Sequence, residues 1–411
     1  MTAGSTGRSV PRLAARAADL VGSIIDSSTS LLAAQTHDIV QFAMGSPADE
    51  ALPVAQFREI TADTLDGAAL SYGSSEGEAP LLYRLESYLA GTPDRTSQDR
   101  MVITSGGMQG LDLANKLFVD PGDLVVVESP TYTNGSATAL AYGAQLLEVP
   151  IDEDGMRIDD LVDLVAREGR LPKAIYTIPN FQNPYGATLS RERREELLRL
   201  AHRWGSIIID DDPYGLLRFA GSDVPSFGQL SPGDPLVFGV RTFSKILAPG
   251  LRVGWVDADP SLRQVLINAK QVMDTCTNVP HQYLVAEYLA RGGLDAHLAR
   301  LRPLYRDRRD AMLDAIERHL GDAATATRPE GGFFLWVTLQ GRFAGIDTRE
   351  LFEPALADGV AFIPGPALSP SERFTNALRL CFASSTPERI DEGIRRLAGT
   401  LERLSSGSPV G

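Results

Sequence analysis

The chain has 411 residues, 43% of them hydrophobic, and a formal net charge of −14 from 53 acidic and 39 basic side chains. That length supports a large core divided into two or three domains. The acidic balance argues against nucleic acid as the main partner, because phosphate contacts need clustered Lys and Arg; a small anion needs only a few local cations.

In chain order, residues 1–11 are small and polar, without the apolar stretch of a signal peptide. A helical pattern runs from Leu13 past Ile24 and Ile25, and Asp38 to Ala43 reads as a short strand before the turn Gly45-Ser-Pro. From MVIT (101–104) onward, strands alternate with helices: DLVVVES (123–129), AQLLEVP (144–150), KAIYTIP (173–179), SIIID (206–210) and LVFGVRTFS (236–244). Short β-branched runs separated by helices imply an α/β fold, a mainly parallel sheet with helices on both faces. After about residue 290 a charged helix precedes strands in GGFFLWVTL and ALRLCFA, which read as a smaller α+β domain. Cys276 and Cys381 are too far apart for a disulfide framework or zinc site and read as thiols in a reducing compartment. No run approaches the ~18 apolar residues of a membrane span. The expected location is the cytoplasm, with no membrane partner.

In an open α/β sheet, ligands sit beyond the carboxyl ends of the strands. Four groups fall there: Ser105-Gly106-Gly107-Met108, Asn183-Pro184, Asp211-Asp212-Pro213-Tyr214 and Thr242-Phe243-Ser244-Lys245. A Lys is usually a solvated charge, but Lys245 ends an apolar strand and precedes Arg252, so a lowered pKa would make it nucleophilic. Gly106 and Gly107 open a helix whose free N–H groups favour an anion, with Arg252, Ser244 and Thr242 as further donors. Asp211 follows SIIID and suits a protonated ring nitrogen. The triple Asp210-Asp211-Asp212 also reads as a polar loop; as a metal site it lacks histidines and a spaced acidic partner.

The segments IPNFQNPYGATLS, IIIDDDPYG and RTFSKILAPGLRVGW resemble the hallmark motifs of class I/II, fold-type I aminotransferases, in order along the chain. The subgroup they most resemble contains the 2-aminoadipate and kynurenine aminotransferases. The resemblance spans about residues 12 to 400 and implies a large domain with a mainly parallel seven-stranded sheet and a smaller α+β domain. The expected division is 1–50 (N-terminal arm and part of the small domain), 51–295 (large cofactor-binding domain) and 296–411 (C-terminal small domain). The implied cofactor is pyridoxal 5'-phosphate (PLP), and no metal is expected. Lys245 is then the Schiff-base lysine and general base, Asp211 pairs with the pyridine nitrogen, and Tyr214 and Asn183 contact the phenolic oxygen. Gly107 and Met108 N–H groups, Thr242, Ser244 and Arg252 hold the phosphate. Tyr132 stacks on the ring, and Tyr72 reaches the phosphate of a neighbouring subunit, which implies a homodimer with shared sites. Arg379 binds the substrate's α-carboxylate, with Gly45 beside it. The implied partners are an amino acid and a 2-keto acid.

Three positions depart from the pattern. Gly107 and Met108 stand where relatives often carry polar side chains, and Met44 stands where a second glycine is usual. Asp26 stands where relatives often carry an arginine for an acidic substrate side chain. If Asp26 lines the site, it disfavours glutamate-like donors and prefers cationic or hydroxyl-rich ones; otherwise it is an exposed helix residue. The leading expectation is an aminotransferase. The alternative is a PLP-dependent lyase, decarboxylase or oxidative deaminase of the same fold in a specialised biosynthetic pathway. A regulator using this fold as a ligand sensor would carry a winged helix ahead of it, and a resemblance beginning near residue 12 leaves no room for one.

Overall fold

The computed structural model describes residues 12–14, 17 and 36–406. The N-terminal helical pattern, Asp26 included, lies outside the described residues. A two-residue strand, β1 (Val40–Gln41), comes first. The large sheet follows as β2 (Met101–Thr104), β3 (Leu124–Ser129), β4 (Gln145–Asp152), β5 (Gly155–Met156), β6 (Ala174–Thr177), β7 (Ile207–Asp211), β8 (Val237–Thr242) and β9 (Gly254–Asp257). Their spatial order is β2-β9-β8-β7-β6-β3-β4-β5. Strands β4, β3, β6, β7 and β8 are parallel, and β9 runs antiparallel to both β8 and β2. All of β3 and β7 is buried, as expected for strands covered on both faces.

The expected seven strands become eight. The extra one is β5, two residues that fold back on β4 through a turn ending at Gly155, whose φ is +87°. So short a return leaves no apolar run to read. Strand β9 was equally hidden, because its GWVD stretch lies within the motif that follows Lys245.

The helices pack apolar stripes onto this sheet. Helix α1 (Gly107–Phe118) starts from Gly106 at φ +83° and buries Leu111, Leu113 and Ala114. Helix α2 (Arg191–Trp204) starts where the Ser190 hydroxyl accepts from Arg193 N–H and stops at Gly205 in the left-handed region, the preferred cap at each end. Its Leu197, Leu198 and Ala201 join Ile208 and Val126 in a core on one sheet face. Helix α3 (Arg263–Asp274) buries Leu266, Ile267 and Lys270. Helix α4 (Gly293–Leu320) is one continuous element of 28 residues that runs across position 295 and into the C-terminal region.

That region holds β10 (Ala324–Ala326), β11 (Phe334–Leu339), β12 (Val360–Ala361), β13 (Ile363–Pro364), β14 (Ala377–Cys381) and helix α5 (Pro387–Ser405). An antiparallel sheet forms in the order β10-β11-β14-β13. Strand β12 pairs in parallel with β1, Val40 opposite Val360, so the N-terminal segment is stitched to the C-terminal one. This places Gly45, just beyond β1, near Arg379 on β14.

Phe238 on β8 anchors the sheet beneath the candidate site. It is fully buried and meets Phe118 edge to face at 5.6 Å between ring centroids. Phe238→Ala is expected to lower stability by about 3–5 kcal/mol, measured by denaturant unfolding, and a loss below about 1 kcal/mol would contradict this packing.

Candidate active site

The C-terminal ends of β3, β6, β7 and β8 open into one cleft of about 230 Å³, facing β14 of the small sheet. Gly45, Gly107, Met108, Tyr132, Asn183, Asp211, Tyr214, Thr242, Ser244, Lys245, Arg252 and Arg379 all line it. These are the residues expected from the sequence, Tyr72 and Asp26 excepted. A larger groove of about 600 Å³, walled by Glu153, Tyr185, Arg328 and Trp336, holds none of them.

One end of the cleft is built for an anion. Helix α1 begins there, with Gly107 and Met108 of its first turn lining the cleft, and a helix N-terminus favours an anion. Arg252 Nη1 lies 3.4 Å from Ser244 Oγ, and Thr242 Oγ1 donates to Ser244 Oγ at 2.9 Å. Arg252 Nη2 donates to the Ser105 carbonyl at 3.1 Å. Gly106 is required here: it combines positive φ with a position where a Cβ would collide with the Arg252 guanidinium. Guanidinium, hydroxyls and helix N-terminus together are what a phosphate needs.

Deeper in the cleft, the three consecutive aspartates have separate fates. Strand alternation turns Asp210 away, where it pairs with Arg241 at 2.5 Å. Asp212 accepts from Asn180 Nδ2 at 2.6 Å and Gly215 N–H at 2.7 Å, bracing the turn after β7. Asp211 alone lines the cleft, and Tyr176 donates its hydroxyl to Asp211 Oδ2 at 3.0 Å. Burial pushes the Asp211 carboxyl up to about 7 against the opposing Tyr176 bond. A carboxyl so placed is stabilised by a cationic ring N–H arriving beside it. Among the described residues, no group of three or more His, Cys, Asp or Glu side chains has the spacing to hold a metal ion.

Lys245 follows β8, and its Nζ donates to the Gly45 carbonyl at 2.7 Å. Burial pulls its ammonium down from 10.5 to about 8, with the Arg379 and Arg252 charges acting in the same direction. On the opposite wall, Arg379 is buried on β14. Its Nη1 donates to Asn183 Oδ1 at 3.0 Å and its Nη2 to the Ala43 carbonyl at 2.5 Å, and the guanidinium lies 4.2 Å from the centroid of the Phe334 ring. Among the described residues no carboxylate pairs with Arg379, and its Nε has no hydrogen-bond partner. A buried, hydrogen-bonded guanidinium without a counter-charge is a receptor for a carboxylate.

The remaining residues fit around this frame. Tyr132 donates to Met108 Sδ at 3.6 Å, and Tyr214 packs edge to face against Phe333 and Phe334. Gly45 leaves room for the Phe334 ring, which an added Cβ would meet at 2.6 Å. Met44 lines the cleft as well. Tyr72 lies elsewhere, 90% exposed, beside a separate groove formed with Cys276, Asn278 and Val279.

A family model described as "Aminotransferase class I and II" matches residues 37–397. The chain is a class I/II aminotransferase. An aromatic-amino-acid aminotransferase of Thermococcus litoralis is 40% identical over 375 residues, covering 90% of this chain and 89% of its own. The structure of a kynurenine aminotransferase of Pyrococcus horikoshii in complex with PMP superimposes with a TM-score of 0.89 at 37% identity, covering 95% of this chain and 97% of that one. An alpha-aminoadipate aminotransferase of Thermus thermophilus, complexed with N-(5'-phosphopyridoxyl)-L-leucine, gives a TM-score of 0.87 at 34% identity, covering 96% and 98%. This aminotransferase therefore moves an amino group between an amino acid and a keto acid. Among the described residues, no helix is long and apolar enough to cross a membrane.

Sequence reading missed Tyr176, Phe334 and Asn134, which support or line the cleft. Tyr176 and Phe334 lie in strands, where an aromatic reads as packing. Asn134 stood inside ESPTYTNG, two residues after Tyr132, and that neighbourhood was its one available signal.

The lowered pKa of Lys245 is open to measurement in cofactor-free enzyme. Burial penalises the ammonium, so the neutral amine forms at lower pH than on a solvated lysine. Amine labelling at Lys245, read by peptide mass spectrometry, is expected to rise with a midpoint near pH 8. A midpoint near 10.5, the ordinary value, would contradict the account.

Proposed function

We propose that this aminotransferase works with PLP held at Lys245, and that its preferred amino donors carry neutral, aromatic or aliphatic side chains. The observation that carries the reading is the convergence of Lys245, Asp211 and the uncompensated Arg379 on one cleft. Relatives solved with PMP and with a phosphopyridoxyl adduct of leucine support the cofactor. When bound, PLP supplies an electron-accepting ring in conjugation with the substrate's amino group.

The chain's own groups then divide the work. Asp211, steadied by Tyr176, holds a proton at the ring nitrogen. Tyr214 and Asn183 would bond the phenolic oxygen, Tyr132 would lie against the ring, and the Gly107 and Met108 N–H groups with Thr242, Ser244 and Arg252 would hold the phosphate. Arg379, aimed by Asn183, takes the α-carboxylate as a bidentate pair beside Gly45. Lys245, whose ammonium burial pulls down to about 8, acts, once its amine is free, as the base that takes the Cα proton and later returns one.

The donor preference rests on charge. Among the described residues, the cations lining the cleft are Lys245, Arg252 and Arg379, each assigned here to another task. Met44, Met108, Ile178 and Phe334 supply apolar wall. An acidic Asp26, brought in from the N-terminal stretch, would add repulsion toward an acidic side chain. Relatives that are named for aromatic amino acids and kynurenine agree with this preference.

We also read the enzyme as a homodimer: Tyr72 is exposed and lines a groove other than its own cleft, in keeping with the role at a partner's phosphate that the resemblance implies. A cytoplasmic site of action fits the two free thiols.

Single-turnover spectra with phenylalanine, leucine, glutamate and 2-aminoadipate, followed by transfer to an added keto acid, test the reading. Phenylalanine is expected to react at least about tenfold faster than 2-aminoadipate, as charge mismatch in a desolvated site requires. Arg379→Lys should raise KM for phenylalanine by about 10- to 100-fold, since Lys cannot form the bidentate pair. Fast reaction with 2-aminoadipate, unchanged in Asp26→Arg, would overturn the donor preference.

A further inference from the structure

The hydrogen bonds of the anion end continue behind it, away from the cleft. Ser105, whose carbonyl receives Arg252, donates its own hydroxyl to Asp274 Oδ2 at 2.8 Å. Gln109 on α1 donates its side-chain amide to the same oxygen at 2.8 Å and accepts from Ser105 N–H at 2.8 Å. Lys270, fully buried one turn back on α3, donates to Asp274 Oδ1 at 2.7 Å. Burial acts to raise the Asp274 carboxyl, and the bonds from Lys270, Gln109 and Ser105 outweigh it and hold the group below the usual carboxylate range. Asp274, Gln109, Ser105 and Lys270 do not line the cleft.

This network matters because of what the phosphate loop lacks. Gly107 and Met108 bring no hydroxyl or amide side chain to the anion. Binding falls on backbone N–H groups, whose direction is fixed by the Ser105–Gly107 turn, on the Thr242 and Ser244 hydroxyls, and on Arg252, which is fixed by the Ser105 carbonyl. We propose that Asp274 is a positioning residue for the cofactor's phosphate, acting through Ser105 and Gln109 to aim the α1 N-terminus and the Arg252 guanidinium. This rests on the reading of the cleft as a PLP site.

The same body reaches the segment that bears Tyr72. Directly after Asp274, the Thr275 carbonyl accepts from Ser75 Oγ at 2.7 Å. Gln282 then ties the two stretches, donating to the Thr277 carbonyl and accepting from Glu78 N–H, both at 2.8 Å. Glu78 Oε1 in turn accepts from Ser74 N–H at 3.0 Å. A Cβ on Gly73 would strike Glu78 and Val279, so the chain beside Tyr72 is packed tightly against this network. One hydrogen-bonded unit thus joins the anion end of the cleft to the segment that bears the exposed Tyr72.

The test titrates cofactor-free enzyme with PLP and, separately, with pyridoxal, which lacks the phosphate, following the absorbance of the bound form. Gln109→Met removes one of the two links between Asp274 and the loop, leaving the Ser105 hydroxyl bond and the Lys270–Asp274 pair in place. It is expected to weaken PLP binding by about tenfold or more, the scale of one lost charge-assisted hydrogen bond, and to leave pyridoxal affinity unchanged. Asp274→Asn should weaken PLP in the same direction; because it also strands buried Lys270, Gln109→Met carries the decision. Unchanged PLP affinity in Gln109→Met overturns the proposal, as does an equal loss for PLP and pyridoxal, which would mean general loosening. Wild-type enzyme that takes up neither compound would instead overturn the PLP reading itself, and the proposal with it.

Discussion

An ammonium group drawn out of water gives up its proton more easily, and a carboxyl in the same surroundings keeps its proton longer. Lys245 and Asp211 stand in that relation, at about 8 and about 7, at the ends of adjacent strands β8 and β7. The shared cause is burial at the mouth of a parallel sheet. Each group titrates nearer to physiological pH than its solvated counterpart does, as expected of groups that take part in proton transfer. The rest of the molecule can be understood as the means of keeping these two groups dry and fixed. The sheet core sets their separation, α1 and Arg252 close one end with positive potential, and β14 brings Arg379 over the other.

The C-terminal sheet has a second consequence. Arg379 is anchored across β11 and β13, and its guanidinium rests on Phe334 and bonds to Asn183 of the large domain. One bond to the loop after β6, through Asn183, and one to the segment after β1, through Ala43, make Arg379 a joint between these two stretches. Glu128 strengthens the large-domain side. It is fully buried and accepts from Thr177 at 2.6 Å and Gln182 at 3.0 Å, so the loop that presents Asn183 is tied to the end of β3.

Much of this was legible in the sequence, for identifiable reasons. Strands covered on both faces must be continuously apolar, so β3, β7 and β8 stood out as runs, and the residues at their ends were the natural candidates. Period-two alternation separates Asp211 from Asp210 and Asp212, but the sequence alone could not say which face was the cleft. Arg379, Tyr132 and Tyr72 came only from the resemblance, because an arginine or tyrosine inside an apolar run carries no local mark of its partner. Tyr176 and Phe334 escaped for the same reason. The eighth strand was missed because two residues make no pattern. Lys270, Asp274 and Gln109 are far apart in sequence or embedded in helices, and only the fold brings them behind the phosphate loop.

The central claim is that the amine at the end of β8, and no other, holds the cofactor. Enzyme loaded with PLP and treated with borohydride fixes any imine linkage permanently, and digestion then locates it by mass. The account predicts a single pyridoxyl-modified peptide containing Lys245, absent in Lys245→Ala. A modified peptide elsewhere in the wild type, or a reducible linkage that survives in Lys245→Ala, would contradict it.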